Sequence, residues 1–148
     1  EEAVVCYDLA TGKQRWVHSY PAFFTEQLGG DGPRATPTIV GGKVYSLGAM
    51  VDLVCLNGAD GSVIWQTELL DGGESPNLPW GMSGSPLVVE EKLIVSPGSS
   101  PEGKGGVIAF ESATGKEIWR SGTHKGSYAS PHLATLGGVP QVLVFDGE

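Results

Sequence analysis

The sequence predicts an all-β protein made of β-propeller blades, each with four antiparallel strands. An eleven-residue motif ending in tryptophan occurs three times, and a shorter motif ending in proline recurs between its copies. The 148 residues include 23 glycines and 10 prolines, which interrupt the chain too often for long helices. Four short strands in each repeat of about 50 residues are typical of propeller blades.

The first motif places a glycine four residues before its tryptophan. Its copies span residues 6–16, 55–65 and 109–119, with glycines at Gly12, Gly61 and Gly115 and tryptophans at Trp16, Trp65 and Trp119. Each glycine supplies the positive φ of a tight turn between the third and fourth strands of a blade. Each tryptophan is interpreted as a structural docking residue, because stacked blades need a large flat ring to fill their contact.

The second motif, Gly-x-x-small-Ser/Thr-Pro, precedes the innermost strand of a blade. Its copies span residues 32–37, 81–86 and 126–131. A hairpin follows each copy, with a tight turn between its two strands. The two motifs together predict a half blade, two blades and a second half blade, at residues 1–20, 35–70, 84–123 and 129–148.

The predicted strands amount to about three blades, whereas a closed propeller has typically 4–8. We therefore expect an incomplete ring in one chain. Two explanations remain open. The chain is a segment of a longer polypeptide, or two copies form a homodimer in which the half blades complete each other and close the ring.

The first motif resembles the tryptophan-docking motif of propellers of the pyrroloquinoline quinone (PQQ) type, Ala-x-Asp-x-x-Thr-Gly-x-x-x-Trp. The third copy matches it from Ala109 to Trp119, with Glu111 in place of the aspartate, and the resemblance covers essentially the whole chain. It implies a quinoprotein-like fold and a periplasmic or other extracytoplasmic location. The family includes quinoprotein dehydrogenases and also propellers that act as assembly scaffolds without a quinone.

Dehydrogenases of this family bind PQQ with Ca²⁺, cover it with a disulfide between adjacent cysteines and use an aspartate base. The only two cysteines of this chain, Cys6 and Cys55, are not adjacent. We therefore expect a non-catalytic binding or assembly scaffold and assign no catalytic residue and no metal ligand. The alternative is part of a PQQ-dependent alcohol or sugar dehydrogenase, with PQQ and Ca²⁺ bound only in a complete propeller.

Candidate ligand residues occupy variable positions of the second motif, close to the predicted central channel. Those three residues before the proline are Arg34, Ser83 and Tyr128, and those six before it are Asp31, Trp80 and Lys125. A guanidinium, a hydroxyl and a phenol at one end of a channel suit an anionic or polyol ligand. The other interpretation is a solvated rim. The expected partner is a protein or a polysaccharide.

Charge and hydropathy exclude two classes of partner. The formal net charge is −8 and only nine residues are Lys or Arg, so we do not expect nucleic-acid binding. No apolar run approaches the ~20 residues of a transmembrane helix. The cysteines are expected to be buried free thiols, and residues 21–30 to form one short helix that ends at Gly29 or Gly30.

Overall fold

The computed structural model describes residues 1–69, 77–98, 106–123 and 125–146. This part of the chain contains only β-strands and connections, with no helix. The strands are β1 (Glu2–Tyr7), β2 (Gln14–Tyr20), β3 (Thr38–Val40), β4 (Lys43–Leu47), β5 (Asp52–Asn57), β6 (Val63–Glu68), β7 (Leu87–Val89), β8 (Lys92–Val95), β9 (Val107–Glu111), β10 (Glu117–Ser121), β11 (His132–Leu136) and β12 (Val139–Leu143).

The strands form four antiparallel sheets that follow the chain in order. Strands β3 to β6 make one four-stranded sheet and β7 to β10 make another, while β1–β2 and β11–β12 are two-stranded. The all-β fold class with four-stranded blades is thus confirmed, and the sheets do not close a ring. The predicted blade ends at positions 70 and 148 lie outside the described residues.

The first motif has the same strand register in all three copies. Its tryptophan lies opposite the small residue that opens the motif, in the pairs Cys6–Trp16, Cys55–Trp65 and Ala109–Trp119. An irregularity of the β-bulge type adjoins each pair. Bulges increase the local twist of a strand and redirect its side chains, so the three copies share this local backbone feature next to the tryptophan.

The hydrophobic core lies between neighbouring sheets. Its larger cluster joins the two four-stranded sheets and includes Tyr45, Leu53 and Trp65 of one and Leu93 and Phe110 of the other. A smaller cluster, Val4, Val44, Val54 and Leu56 with Trp16 against it, joins the first half blade to the next sheet. Among the described residues, the core thus lies between consecutive sheets, as expected of a repeat protein.

Residues 21–30 do not form the expected helix. The segment is irregular, with a turn at 27–29. The side chain of Glu26 accepts hydrogen bonds from the backbone N–H groups of Leu28 and Gly29, at 2.9 and 2.5 Å. Arg34 donates to the carbonyl of Gly30 at 2.6 Å. Side chains therefore bind backbone groups that a helix would pair with each other, which favours a compact loop.

The two cysteines are free thiols, but they are not equally buried. Cys55 is fully buried in the larger core cluster, whereas Cys6 is only partly buried. Burial raises the pKa of the Cys55 thiol, so it stays neutral and packs as a small apolar side chain. The expectation that both are buried is therefore correct for Cys55 alone.

Candidate functional site

Two of the motif tryptophans contact the turn of the following blade. The indole N–H of Trp16 donates to the carbonyl oxygen of Gly58 at 3.0 Å, and that of Trp65 donates to Ser112 at 3.1 Å. Each ring also lies against the motif glycine of that turn. A Cβ added at Gly61 would come 2.6 Å from Cε3 of Trp16, so only glycine allows this close approach.

The third tryptophan and the first glycine have no such contact within the described part of the chain. Trp119 is 38% exposed, and its indole N–H has no acceptor there. Gly12 has a positive φ of +68°, close to the +76° of Gly61 and the +73° of Gly115, but a Cβ at this position would have no atom within 4 Å. The same turn therefore occurs both with and without a ring packed on it.

The second motif joins the innermost strands through its hydroxyl groups. The N–H of Thr36 donates to Oγ of Ser85 at 2.9 Å, and the N–H of Ser85 donates to Oγ of Ser130 at 2.8 Å. These three residues each precede the motif proline. The sequence shows the repeated Ser/Thr but not this use of it, in which the hydroxyls of Ser85 and Ser130 each accept a hydrogen bond from an N–H of the preceding blade.

Three of the six candidate ligand residues lie together beside these innermost strands. The rings of Trp80 and Tyr128 are 5.5 Å apart between centroids and tilted by 41°. The N–H of Trp80 donates to the Tyr128 hydroxyl at 3.4 Å, and Ser83 Oγ donates to the Tyr128 carbonyl at 2.8 Å. Trp80 is 48% exposed and Tyr128 is 39% exposed. Consecutive inter-blade loops thus present one aromatic surface to solvent.

The three charged candidates are not bonded to this aromatic pair. The guanidinium of Arg34 donates to the carbonyls of Gly30 and Gly32 and lies 4.8 Å from the centroid of the Phe24 ring. Asp31 is exposed and lines a cavity of about 370 Å³ beside its own loop. Lys125 is exposed. Arg34 therefore shapes the loop between β2 and β3.

The family resemblance links PQQ and Ca²⁺ to a complete propeller, of which the described residues form only a part. They include no group of three or more His, Cys, Asp or Glu side chains placed to hold a metal ion, whereas Ca²⁺ takes six to eight oxygen ligands. The guanidinium of Arg34 is already bound to backbone carbonyls.

The described residues contain no helix that could cross a membrane.

The repeated four-stranded sheets and their shared register define a PQQ-like β-propeller protein. The family model described as outer membrane protein assembly factor BamB matches residues 1–147, and the chain belongs to this family. A curated relative, the quinohemoprotein alcohol dehydrogenase ADH IIB of Pseudomonas putida, is 30% identical over 132 residues. This match covers 87% of the chain but only 19% of the relative.

Similar solved structures include both enzymes and BamB. A europium-containing methanol dehydrogenase matches 79% of the chain with a TM-score of 0.60 and 20% identity. BamB from Moraxella catarrhalis matches 79% with a TM-score of 0.52 and 22% identity. Quinohemoprotein alcohol dehydrogenase from Comamonas testosteroni matches 80% with a TM-score of 0.58 and 22% identity. The matches cover 20%, 29% and 18% of those chains, and they show the fold alone.

Proposed function

We propose that this chain is a non-catalytic propeller segment that acts as a binding or assembly scaffold outside the cytoplasm. The family match, whose description names an outer membrane protein assembly factor, supports both the role and a periplasmic or other extracytoplasmic location. The proposed partner is a protein or a polysaccharide. Asp31, Arg34 and Lys125 would form a charged rim on the same side as the loops that join successive blades.

The exposed pair of Trp80 and Tyr128 is the observation that carries this proposal. Aromatic side chains are enriched in interfaces and at binding hot spots because they offer a large apolar area together with a polar atom. The hydrogen bonds from Ser83 and between the two aromatic residues fix the pair before any partner arrives. A preorganised surface loses little conformational entropy on binding.

Site-specific photo-crosslinking tests the protein-partner form of the proposal. A photoreactive phenylalanine derivative replaces Trp80, and the chain is produced in the periplasm of a Gram-negative host. Val63 on β6 is the control position, because it is 44% exposed and Trp80 is 48% exposed. We expect one adduct of defined mass from position 80, lost on Tyr128→Ala, and none from position 63. Equal labelling from positions 80 and 63 would indicate non-specific contact and would contradict a binding surface at the aromatic pair.

Affinity electrophoresis in gels that contain soluble polysaccharides tests the other partner class. Retardation should be lost in Trp80→Ala and retained in Trp119→Ala, which removes a comparably exposed indole elsewhere. If position 80 gives no specific adduct and no polysaccharide retards the chain, the aromatic pair is not a binding surface and the proposal fails.

A second candidate function is part of a PQQ-dependent alcohol or sugar dehydrogenase, favoured by the 30% identity to ADH IIB. The rest of a complete propeller would then have to supply the Ca²⁺ ligands and the base. Light scattering of the 148-residue chain, with and without PQQ and Ca²⁺, tests this candidate. Stoichiometric retention of PQQ would favour the enzyme over the scaffold.

The same mass measurement separates the two explanations for the incomplete ring. Apolar side chains are exposed on both half blades, including Tyr7 and Val17 on the first and Leu133 and Val139 on the second. Stacking of a further blade would bury apolar side chains of this kind. We favour a segment of a longer chain, for which the isolated chain would be monomeric or would aggregate. A stable dimer would instead support ring closure by two copies.

A further inference from the structure

The junction between the first half blade and the sheet β3–β6 departs from the repeat in its polarity. The spacing of 49 residues between the first two motif copies aligns Glu2 with Val51 and Tyr20 with Leu69. Val51 and Leu69 are 4% and 3% exposed, as expected of a core, but Glu2 is also buried, with 2% exposed. A carboxylate and a phenol therefore occupy positions that are apolar at the next junction.

Glu2 spans this junction and is hydrogen-bonded from both sides. The Tyr20 hydroxyl, from its own sheet, donates to Oε2 at 2.9 Å, and the N–H of Ala49, from the neighbouring sheet, lies 3.2 Å from both carboxylate oxygens. Both side chains pack on Gly48, where an added Cβ would come 2.6 Å from the Tyr20 oxygen. The junction is thus built around a buried carboxylate that accepts hydrogen bonds from both sheets.

Two more carboxylates lie at this junction. Asp52 on β5 and Glu68 on β6 are directly opposite each other in the strand register, an arrangement that disfavours two like charges. Burial, followed by the charges of Glu68 and Glu2, raises the pKa of Asp52. In the part of the chain that the structure describes, none of these three carboxylates pairs with Lys or Arg.

The remaining titratable groups that face Asp52 come from β2. His18 lines the same cavity of about 400 Å³ as Asp52 and Glu68. Its Nε2 atom is buried without a hydrogen-bond partner, so it stabilises none of the carboxylates through that atom. Tyr20 has a raised pKa, through burial first and then its hydrogen bond to Glu2, so the phenol stays protonated as a donor.

We propose that this acidic junction is a pH-responsive contact, which holds the first half blade more tightly when its carboxylate cluster carries a proton and less tightly when the cluster is fully ionised. The repulsion acts between Glu2 on the half blade and Asp52 on the neighbouring sheet, so it acts directly across the junction. The next junction, with Val51 and Leu69 at the aligned positions, has no equivalent charges there and does not respond.

The direction of the effect follows from proton linkage. Because the pKa of Asp52 is raised in the folded state, the native chain binds a proton that the unfolded chain has already lost. The corresponding stability is fully present below the ordinary aspartate pKa and is lost as the pH rises through the raised value. The exposed Asp60 has a lowered pKa, through the Ser62 hydroxyl first, and its contribution is lost as the pH falls. Variants therefore have to be compared at each pH.

Native-state hydrogen exchange of the 148-residue chain, corrected for intrinsic exchange rates, tests the proposal. Asp52→Asn resembles the protonated form and should raise the protection of β1 and β2 amides at pH 7 by about threefold to tenfold. The range corresponds to removing two like-charge contacts, with Glu68 and Glu2, of about 0.3–0.7 kcal/mol each, as is typical of partly exposed charges, at about 1.36 kcal/mol for each tenfold change. At pH 3, below the ordinary aspartate pKa, the variant and the parent should match, and β9 amides should change less at both pH values.

The control is Asp60→Asn, which removes one negative charge from an exposed turn of the same sheet. It should not raise the protection of β1 and β2. Glu68→Gln repeats the test from the other side of the pair and should act in the same direction as Asp52→Asn. The proposal is overturned if neither junction variant raises protection at pH 7, or if Asp60→Asn raises it equally and net charge is therefore the cause.

Discussion

The packing of Trp16 on the next blade makes Gly61→Ala the most informative single substitution. Gly61 has φ +76°, and an added Cβ would lie 2.6 Å from Cε3 and 2.8 Å from Cδ2 of the indole. Gly12 is the matched control, since it occupies the same turn with φ +68° and an added Cβ would have no atom within 4 Å. Both substitutions thus place a non-glycine residue at a positive φ, and only Gly61→Ala also places a Cβ against an indole ring.

The expected magnitudes follow from the two contributions. A non-glycine residue in the left-handed region costs about 1–2 kcal/mol, and this cost applies to both variants. Displacing a packed ring typically costs a further 1–3 kcal/mol or so. Gly61→Ala should therefore lower the free energy of unfolding by about 2–5 kcal/mol, and Gly12→Ala by about 1–2 kcal/mol. If displacement also breaks the 3.0 Å hydrogen bond to Gly58, the result lies near the upper end.

Urea denaturation followed by far-ultraviolet circular dichroism measures both variants, provided that the transition is two-state with an unchanged slope. A double-mutant cycle then isolates the contact between ring and glycine. In a Trp16→Ala background, the cost of Gly61→Ala should fall to that of Gly12→Ala, because there is no ring to displace. Equal costs for the two glycines in the parent chain, or an undiminished cost in the Trp16→Ala background, would refute the docking explanation.

Three further predictions use the same assay. Trp65→Phe should cost about 1 kcal/mol more than Trp119→Phe, because only the Trp65 indole N–H has an acceptor in the described part of the chain; equal costs would contradict this. Ser85→Ala should cost about 0.5–1.5 kcal/mol by removing the exposed hydrogen bond from the N–H of Thr36, and Ser85→Thr should restore stability. Asp8→Asn should be destabilising near pH 7, and the difference should vanish as the pH falls through the lowered pKa of Asp8.

The sequence predicts most of the fold because its repeated residues are tied to local geometry. Gly61 occupies a turn that needs a positive φ, which glycine adopts without strain, and Trp16 provides the ring that packs on this turn. These requirements recur with every blade, so they appear as a period that can be read without a structure. The irregular segment 21–30 is different, because its conformation depends on side-chain bonds from Glu26 and Arg34 that follow no repeating pattern.

The candidate site is less predictable, because spacing from a proline places a residue on a loop without fixing its side chain. Arg34 and Tyr128 hold equivalent positions, three residues before the motif proline. The guanidinium of Arg34 binds carbonyls of its own loop, whereas the Tyr128 ring extends to Trp80 on the preceding loop. The difference arises from the length and composition of each loop, which are the features that the repeat does not conserve.

Comparison of the internal copies separates residues that maintain the fold from residues that give each blade its own chemistry. The Ser/Thr before each proline keeps its residue type and forms the same contact in successive blades. Glu2 aligns with buried Val51, although burying a carboxylate has a desolvation cost that burying a valine does not have. Blade stacking alone does not explain such a residue. The acidic junction, and not the tryptophan contacts, is therefore where we expect a property specific to this propeller, namely its response to pH.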